Sequence, residues 1–389
     1  MSAPADFQNE IYLKGLGDAV PELPTDLTGL EALAERRLSS AAFGYAAGAA
    51  GSEATARANR AAFDRWRIVP RMLRDVAERD LSVRVLGTDM PAPVALAPVG
   101  VQSIFHPDGE LAAARAAAAA GLPYVLSTAA SYSIEEVAEA NGDGPRWYQL
   151  YWPKDRELAV SFLERAAAAG YSALVVTLDT VALAWRPRDL DQAYLPFLRG
   201  IGLANYFSDP VFQKAVGGPV TDANRETAIL HWAANFSNPS LTWDDLAFLR
   251  DHWRGPIALK GIQHPDDARR AVDAGMDGVI VSNHGGRQVD GAVASLDALA
   301  PVVEAVGDRA EVLFDSGIRT GADVVKALAL GAKAVLVGRP YVYGLALGGQ
   351  AGVTHVLRCL QAELDLTMML SGHTRPGDLG PDLLVRSDA

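Results

Sequence analysis

Between Pro93 and Val337 the chain repeats one unit, a short apolar run followed by a crossover long enough for a helix. The runs are Val94–Ala97, Tyr124–Ser127, Trp147–Tyr151, Ala173–Leu178, Ile257–Lys260, Val279–Val281, Val312–Asp315 and Ala334–Val337. They are apolar nearly throughout and rich in β-branched residues, the pattern of strands covered on both faces. Parallel strands cannot be joined by tight hairpins, so each crossover calls for a helix. Gly109–Ala120, Ile134–Ala140, Arg156–Ala169, Pro265–Ala274, Leu296–Val306 and Gly321–Leu330 supply such segments. Eight strands with helical crossovers predict an α/β fold, the (β/α)8 or TIM barrel.

Two stretches break the rhythm. Residues 1–90 form an N-terminal segment in which Asp26–Arg37 and Ser40–Ala47 read as helices. Pro70–Leu73 and Leu81–Val85 read as extended pieces, a plug or hairpin over one barrel end. Residues 187–241 follow the fourth strand, where a βα loop is normally a handful of residues. This insertion is rich in proline and glycine and carries Tyr194, Phe197, Tyr206, Phe207, Phe212 and Trp232. Its composition suggests a partly ordered lid over the C-terminal barrel face. The whole chain, 1–389, is expected to form a single domain.

A net charge of −12 argues against nucleic acid or an anionic membrane surface as partner. Any anionic ligand would need a local cationic pocket. Cys359 is the only cysteine, so no internal disulfide can form. The start has neither a basic region nor an apolar one, and the alanine-rich run near residues 112–120 is too short to span a bilayer. A soluble, cytoplasmic protein is expected.

Chemistry gathers at the strand ends. They carry Pro98 to Gly100, Ser127 and Thr128, Gln149 and Tyr151, Thr177 and Asp179, Lys260, His284 and Arg287, Asp315, then Gly338 and Arg339. The sharpest signal is Val279–Gln288, a buried strand that breaks into a base, two glycines and a cation. His284 could take a proton there and Arg287 could hold an anion. After strand seven, Gly317 lets the backbone approach an oxyanion, Arg319 adds charge, and Thr320 with Asp323 has the look of a helix cap. Gly338 and Arg339 repeat the arrangement after strand eight. The loops after strands seven and eight are the usual phosphate site of such barrels. No metal-ligand set stands out.

On these residues, above all Ser282–Gln288 and Asp315–Arg319, with Leu259–Gly261 and Gln149–Tyr151, the chain from about Glu10 onward resembles the FMN-dependent L-2-hydroxy-acid oxidising enzymes. Within that family it is most similar to the bacterial lactate 2-monooxygenases, through Asn9–Tyr12, Trp185–Leu190, Asp209–Lys214 and Lys260–Pro265. The resemblance implies FMN as cofactor, a small L-2-hydroxy acid such as L-lactate and O2 as substrates, and acetate, carbon dioxide and water as products. It also implies a homotetramer or a larger homo-oligomer.

Site roles follow from the same resemblance. His284 would be the base and Asp315 would orient it. Arg287, Arg186 and Tyr45 would hold the substrate carboxylate, and Tyr151 the α-oxygen. Lys260 would sit by flavin N1 and O2. Ser127, Gln149, Thr177 and the Ala97, Pro98 and Val99 backbone would meet the isoalloxazine, with Gly317, Arg319, Gly338 and Arg339 on the phosphate. Gly100 departs from the alanine of many oxidases, and Ala129 and Ser131 from bulkier residues. Two alternatives stay open: a 2-hydroxy-acid oxidase or quinone-linked dehydrogenase releasing the 2-oxo acid, and a non-redox barrel enzyme acting on a phosphorylated substrate.

Overall fold

The structure is a computed structural model and describes residues 3–387. Eight parallel strands close into a barrel. They are β1 (Val94–Leu96), β2 (Tyr124–Ser127), β3 (Arg146–Leu150), β4 (Leu174–Thr177), β5 (Ile257–Ile262), β6 (Gly278–Val281), β7 (Glu311–Phe314) and β8 (Ala334–Val337). Closure is made by β8 against β1, with Val335, Leu336 and Val337 opposite Val94, Ala95 and Leu96. The expected (β/α)8 architecture is what the chain adopts.

Alternation along each strand divides the apolar residues into two cores. Ala95, Val125, Trp147, Val175, Ala258, Ile280, Leu313 and Leu336 point inward and fill the barrel. Their neighbours, such as Leu126, Val176, Leu259 and Val281, pack outward against the helices. The barrel interior is therefore solid below its rim, and the strand C-termini open above it.

The N-terminal segment caps the lower end. Val83–Val85 and Thr88–Met90 form an antiparallel hairpin, turned at Leu86 and Gly87, both with positive φ, as a two-residue hairpin turn requires. Val85, Leu86 and Met90 join the inner core, which realises the plug that Leu81–Val85 suggests. Pro70–Leu73, by contrast, forms no strand. Two helices that the sequence pattern did not reveal, Asp6–Gly15 and Ala54–Asp64, complete the segment. A second ribbon pairs Trp66–Ile68 with Leu384–Arg386 and ties the two ends of the chain together.

The segment after β4 differs from a partly ordered lid. It folds into short helices at Pro187–Leu190, Ala204–Phe207 and Pro210–Ala215 and a longer one at Arg225–Phe236. Phe197, Tyr206, Phe212 and Trp232 are buried. Asn205 Nδ2 donates to the carbonyls of Ser127 (3.2 Å) and Thr128 (3.0 Å), and the amide of Ala204 to Ala130 (3.1 Å). The aromatics that suggested a loop with a function mostly serve to bury apolar area, and the segment is a wall fixed to the end of β2.

Trp147 is fully buried in the barrel, and its indole N–H donates to Thr88 of the plug at 2.9 Å. Trp147→Ala should cost about 3–5 kcal/mol, the usual range for deleting a large buried aromatic. Urea unfolding monitored by circular dichroism would register this as a lower midpoint at unchanged slope.

Candidate active site

All the strand C-termini open on one mouth. Of the residues given a catalytic, substrate or cofactor role in the sequence, all but Gln149 and Thr177 line it directly. Those two sit just beneath. Gln149 accepts from the Ser127 hydroxyl (3.1 Å), and Thr177 is in register with Lys260. Tyr45 arrives from the helix Ser40–Ala47, and Arg186 from the start of the helix Pro187–Leu190.

His284 has a different partner from the one expected. His284 Nδ1 lies 2.8 Å from Asp179 Oδ1, whereas Asp315 pairs with Lys260 at 3.1 Å and accepts from the Ser316 hydroxyl at 2.7 Å. Asp315 therefore does not orient His284; Asp179 does. The cause is local. The β5–β6 register slips between Lys260 and Ile262, and Gly261 at φ +107° leaves room that a Cβ would take, 2.9 Å from Asp179 Cβ. Asp179 was visible among the strand-end polar residues, but no spacing rule pairs it with a histidine beyond residue 280. Thr180, Phe197, Phe236 and Ser316 also line the mouth and were not singled out as site residues.

Electrostatics set the protonation states. Burial alone would raise the Asp179 pKa, but the adjacent His284 and Lys260 outweigh it and hold it at about 2. Burial lowers the His284 pKa, against the opposing pull of Asp179. At neutral pH the pair is thus carboxylate and neutral imidazole. Nδ1–H donates to Asp179, and Nε2 is left free to accept a proton. Burial would lower the Lys260 pKa, yet Asp315 and Asp179 overcome it and keep the ammonium charged. Burial raises the Tyr45 and Tyr151 phenols, so both are donors rather than phenolates.

On one side of His284 stand two guanidiniums. Arg287 donates to the Gly48 carbonyl at 2.6 Å and lies over the Tyr45 ring, 5.1 Å from its centroid. Arg186, only 8% exposed, donates to the Arg287 carbonyl (3.0 Å) and to Gln288 (2.7 Å). Burial and the neighbouring Arg287 push Arg186 down to about 10. Two cations held together out of water favour an anion between them.

Further round the rim lie Arg319 and Arg339. Arg319 donates to the Ile318 carbonyl (2.9 Å), and Arg339 to the carbonyls of Gly285, Ala46, Ala47 and Gly48. Among the described residues neither forms an ion pair with a carboxylate. Desolvation, with Arg287 and Arg319 close by, depresses Arg339 to about 10. Gly317, at φ +116°, opens its backbone beside them. This is a donor set suited to a phosphate. At the opposite side, Gln149 Nε2 is buried without a partner among the described residues, next to Ser127. With the Val99 amide and Lys260, it offers donors to the edge of a flat heteroaromatic ring. The residues present therefore fit a flavin mononucleotide.

The barrel, the cationic loops after β7 and β8 and the buried imidazole fit a flavin-dependent oxidoreductase. The profile of the FMN-dependent dehydrogenases matches residues 34–386, and the chain belongs to that family. It is 50% identical to the FMN-dependent alpha-hydroxy acid dehydrogenase qulF of Penicillium citrinum, over 98% of this chain and 95% of the relative. It is 47% identical to an L-lactate oxidase of Nostoc sp., over 93% and 98%. A crystal structure of mandelate oxidase superposes with a TM-score of 0.83 at 40% identity, covering 94% of this chain and 99% of the other. FMN is the cofactor, and the reaction is oxidation of a 2-hydroxy acid.

The acid limb of kcat/KM should lie below pH 6.5, the ordinary histidine value, because burial lowers the His284 pKa and only the neutral imidazole can accept a proton. Asp179→Asn removes the group that holds that pKa up. The limb should move to still lower pH, and the plateau should fall by at least ~10²-fold. Steady-state rates from pH 4.5 to 8 would check both the sign and the size (an assay window, about two units below the free-histidine value and more than one above it).

Proposed function

We propose that the chain oxidises a small L-2-hydroxy acid, with L-lactate the best fit, and that it turns L-lactate and O2 into acetate, carbon dioxide and water. The observation that carries the first part is the juxtaposition of the His284–Asp179 pair with the Arg186–Arg287 cations in one mouth. Arg287 and Arg186, with the Tyr45 phenol, bind the carboxylate. Tyr151 donates to the α-oxygen as it becomes a carbonyl. His284 Nε2 takes the hydroxyl proton, and Asp179 stabilises the imidazolium that results. FMN, when bound, accepts the two electrons that leave the α-carbon. Lys260 places a fixed positive charge where negative charge then develops. Ser127, Gln149 and the Ala97–Val99 backbone hold the ring, and Gly317, Arg319, Gly338 and Arg339 hold the phosphate. Asp315 serves by fixing Lys260.

One side of the mouth is apolar. Phe197 and Phe236 come from the insertion and face it, with Leu183 beside them. Phe236 packs edge-on to Tyr151 at 5.5 Å, and Trp232 backs both phenylalanines. This apolar roof suits an apolar side chain on the hydroxy acid and supports the second part of the proposal. A 2-oxo acid kept under it remains beside the hydrogen peroxide formed from O2. Attack on its carbonyl then expels carbon dioxide.

A second reading is favoured by the similarity to L-lactate oxidases and mandelate oxidase. In it the 2-oxo acid leaves first, and the products are the 2-oxo acid and hydrogen peroxide.

His284→Gln should retain FMN but slow anaerobic bleaching by L-lactate by at least ~10²-fold, the loss typical of removing a general base. For the product, L-lactate turnover in air with catalase present separates the two readings. Acetate in proportion to oxygen consumed supports retention, and accumulating pyruvate assigns the chain as an ordinary oxidase.

A further inference from the structure

Behind the catalytic loop the backbone is in an unusual state. His284, Gly285 and Gly286 are consecutive left-handed residues, at φ +59°, +67° and +77°. Glycine adopts this conformation freely, but histidine does so at a cost and holds it only where its surroundings over-determine it. The surroundings come from the N-terminal segment. Asn59, on the helix Ala54–Asp64, forms a reciprocal amide pair with Asn283. Asn59 Nδ2 donates to Asn283 Oδ1 (2.8 Å), and Asn283 Nδ2 donates to Asn59 Oδ1 (2.7 Å).

Asn283 Oδ1 also accepts from the Gly286 amide (3.0 Å), which closes the left-handed turn over His284. Asn59 Oδ1 also accepts from the Ser295 amide (3.0 Å). Both side chains are buried, at 2% and 5% exposure. The helix bears directly on the loop, since a Cβ on Gly286 would lie 2.6 Å from the Ala56 nitrogen. Its start is tied to the far end of the same loop. Asp290 accepts from the Ser52 amide at 2.6 Å, and Thr55 Oγ1 donates to the Val289 carbonyl at 2.8 Å. The next residue on the helix, Arg60, reaches the Gly317 carbonyl and pairs with Asp323 at 2.7 Å.

We propose that Asn59 is a positioning residue for His284, holding the base in its left-handed conformation through Asn283. The Asn59 side chain does not line the mouth. It acts only through the shape of the loop. The proposal rests on His284 being the base. Arg287 is anchored separately, by Gly48 and Tyr45, so loosening the turn should misplace the base before it disturbs carboxylate binding.

The test compares Asn59→Leu, Asn59→Asp and His284→Gln as FMN-loaded enzymes, each measured for kcat, bound FMN and affinity for oxalate, a non-reacting dicarboxylate. Asn59→Leu should lower kcat by about 10²-fold, the effect of misplacing a catalytic group by an ångström. FMN content and oxalate affinity should change only a few-fold. Asn59→Asp keeps the acceptor for Asn283 and Ser295 but loses the donor, and should fall between the wild type and Asn59→Leu. This second variant also decides the matter if the leucine variant does not load FMN. Wild-type kcat in the variants that load FMN overturns the proposal, as does a loss of activity that tracks lost FMN. If His284→Gln keeps normal turnover, the assignment of the base itself fails. An inactive His284→Gln with normal Asn59 variants sinks the positioning role alone.

Discussion

Closure of the sheet by β8 against β1 is the constraint from which the rest of the molecule follows. A closed ring of parallel strands has no free edge, and it delivers every C-terminal strand end to one rim. Residues as far apart in sequence as Ala97 and Arg339 become neighbours by that means. The inward side chains and the hairpin plug fill the space below. What remains is a polar mouth above a rigid apolar base, walled and partly roofed by the β4 insertion.

Charge distribution runs against the average of the chain. The protein carries a net charge of −12, yet Lys260, Arg186, Arg287, Arg319 and Arg339 all face the mouth. The carboxylates among them, Asp179 and Asp315, are each engaged by a specific partner, His284 and Lys260. The basin is therefore cationic at two separated places. One is beside His284, at Arg186 and Arg287, and the other is at the β7 and β8 loops, at Arg319 and Arg339. An acidic exterior around a cationic basin disfavours polyanions while leaving small anions free to enter.

Most of the fold was legible because burial on both strand faces leaves an unbroken apolar signature, and six of the seven crossovers between strands carried a readable helix. The rim residues were legible because polar groups at the ends of buried strands stand out. The partner of His284 was not. It depends on a register slip at Gly261 that lets the loop after β4 swing across β5. Nothing in the spacing of Asp179 or Asp315 distinguishes the two. The insertion misled in another way. Its proline and glycine content is that of a loop, but Phe197, Tyr206, Phe212 and Trp232 bury enough area to order its short helices. The helix Ala54–Asp64 was passed over because most of its sequence is alanine and polar residues. Its value lies in two side chains, Asn59 and Arg60, whose partners are more than two hundred residues away.

That separation has a consequence for how the molecule comes into being. The helix Ala54–Asp64 leaves the ribosome early, but Asn283, Asp290 and Ser295, the groups that hold it, are made some 224 to 238 residues later. The ribbon partner of Trp66–Ile68 lies at the very end of the chain. The barrel can begin to gather during synthesis, but the loop bearing the base is set only after the sixth strand has been made and the first residues have folded back over it. A chain interrupted before that point lacks His284 and the two strands, β7 and β8, that close the barrel, so an unfinished copy cannot assemble the site.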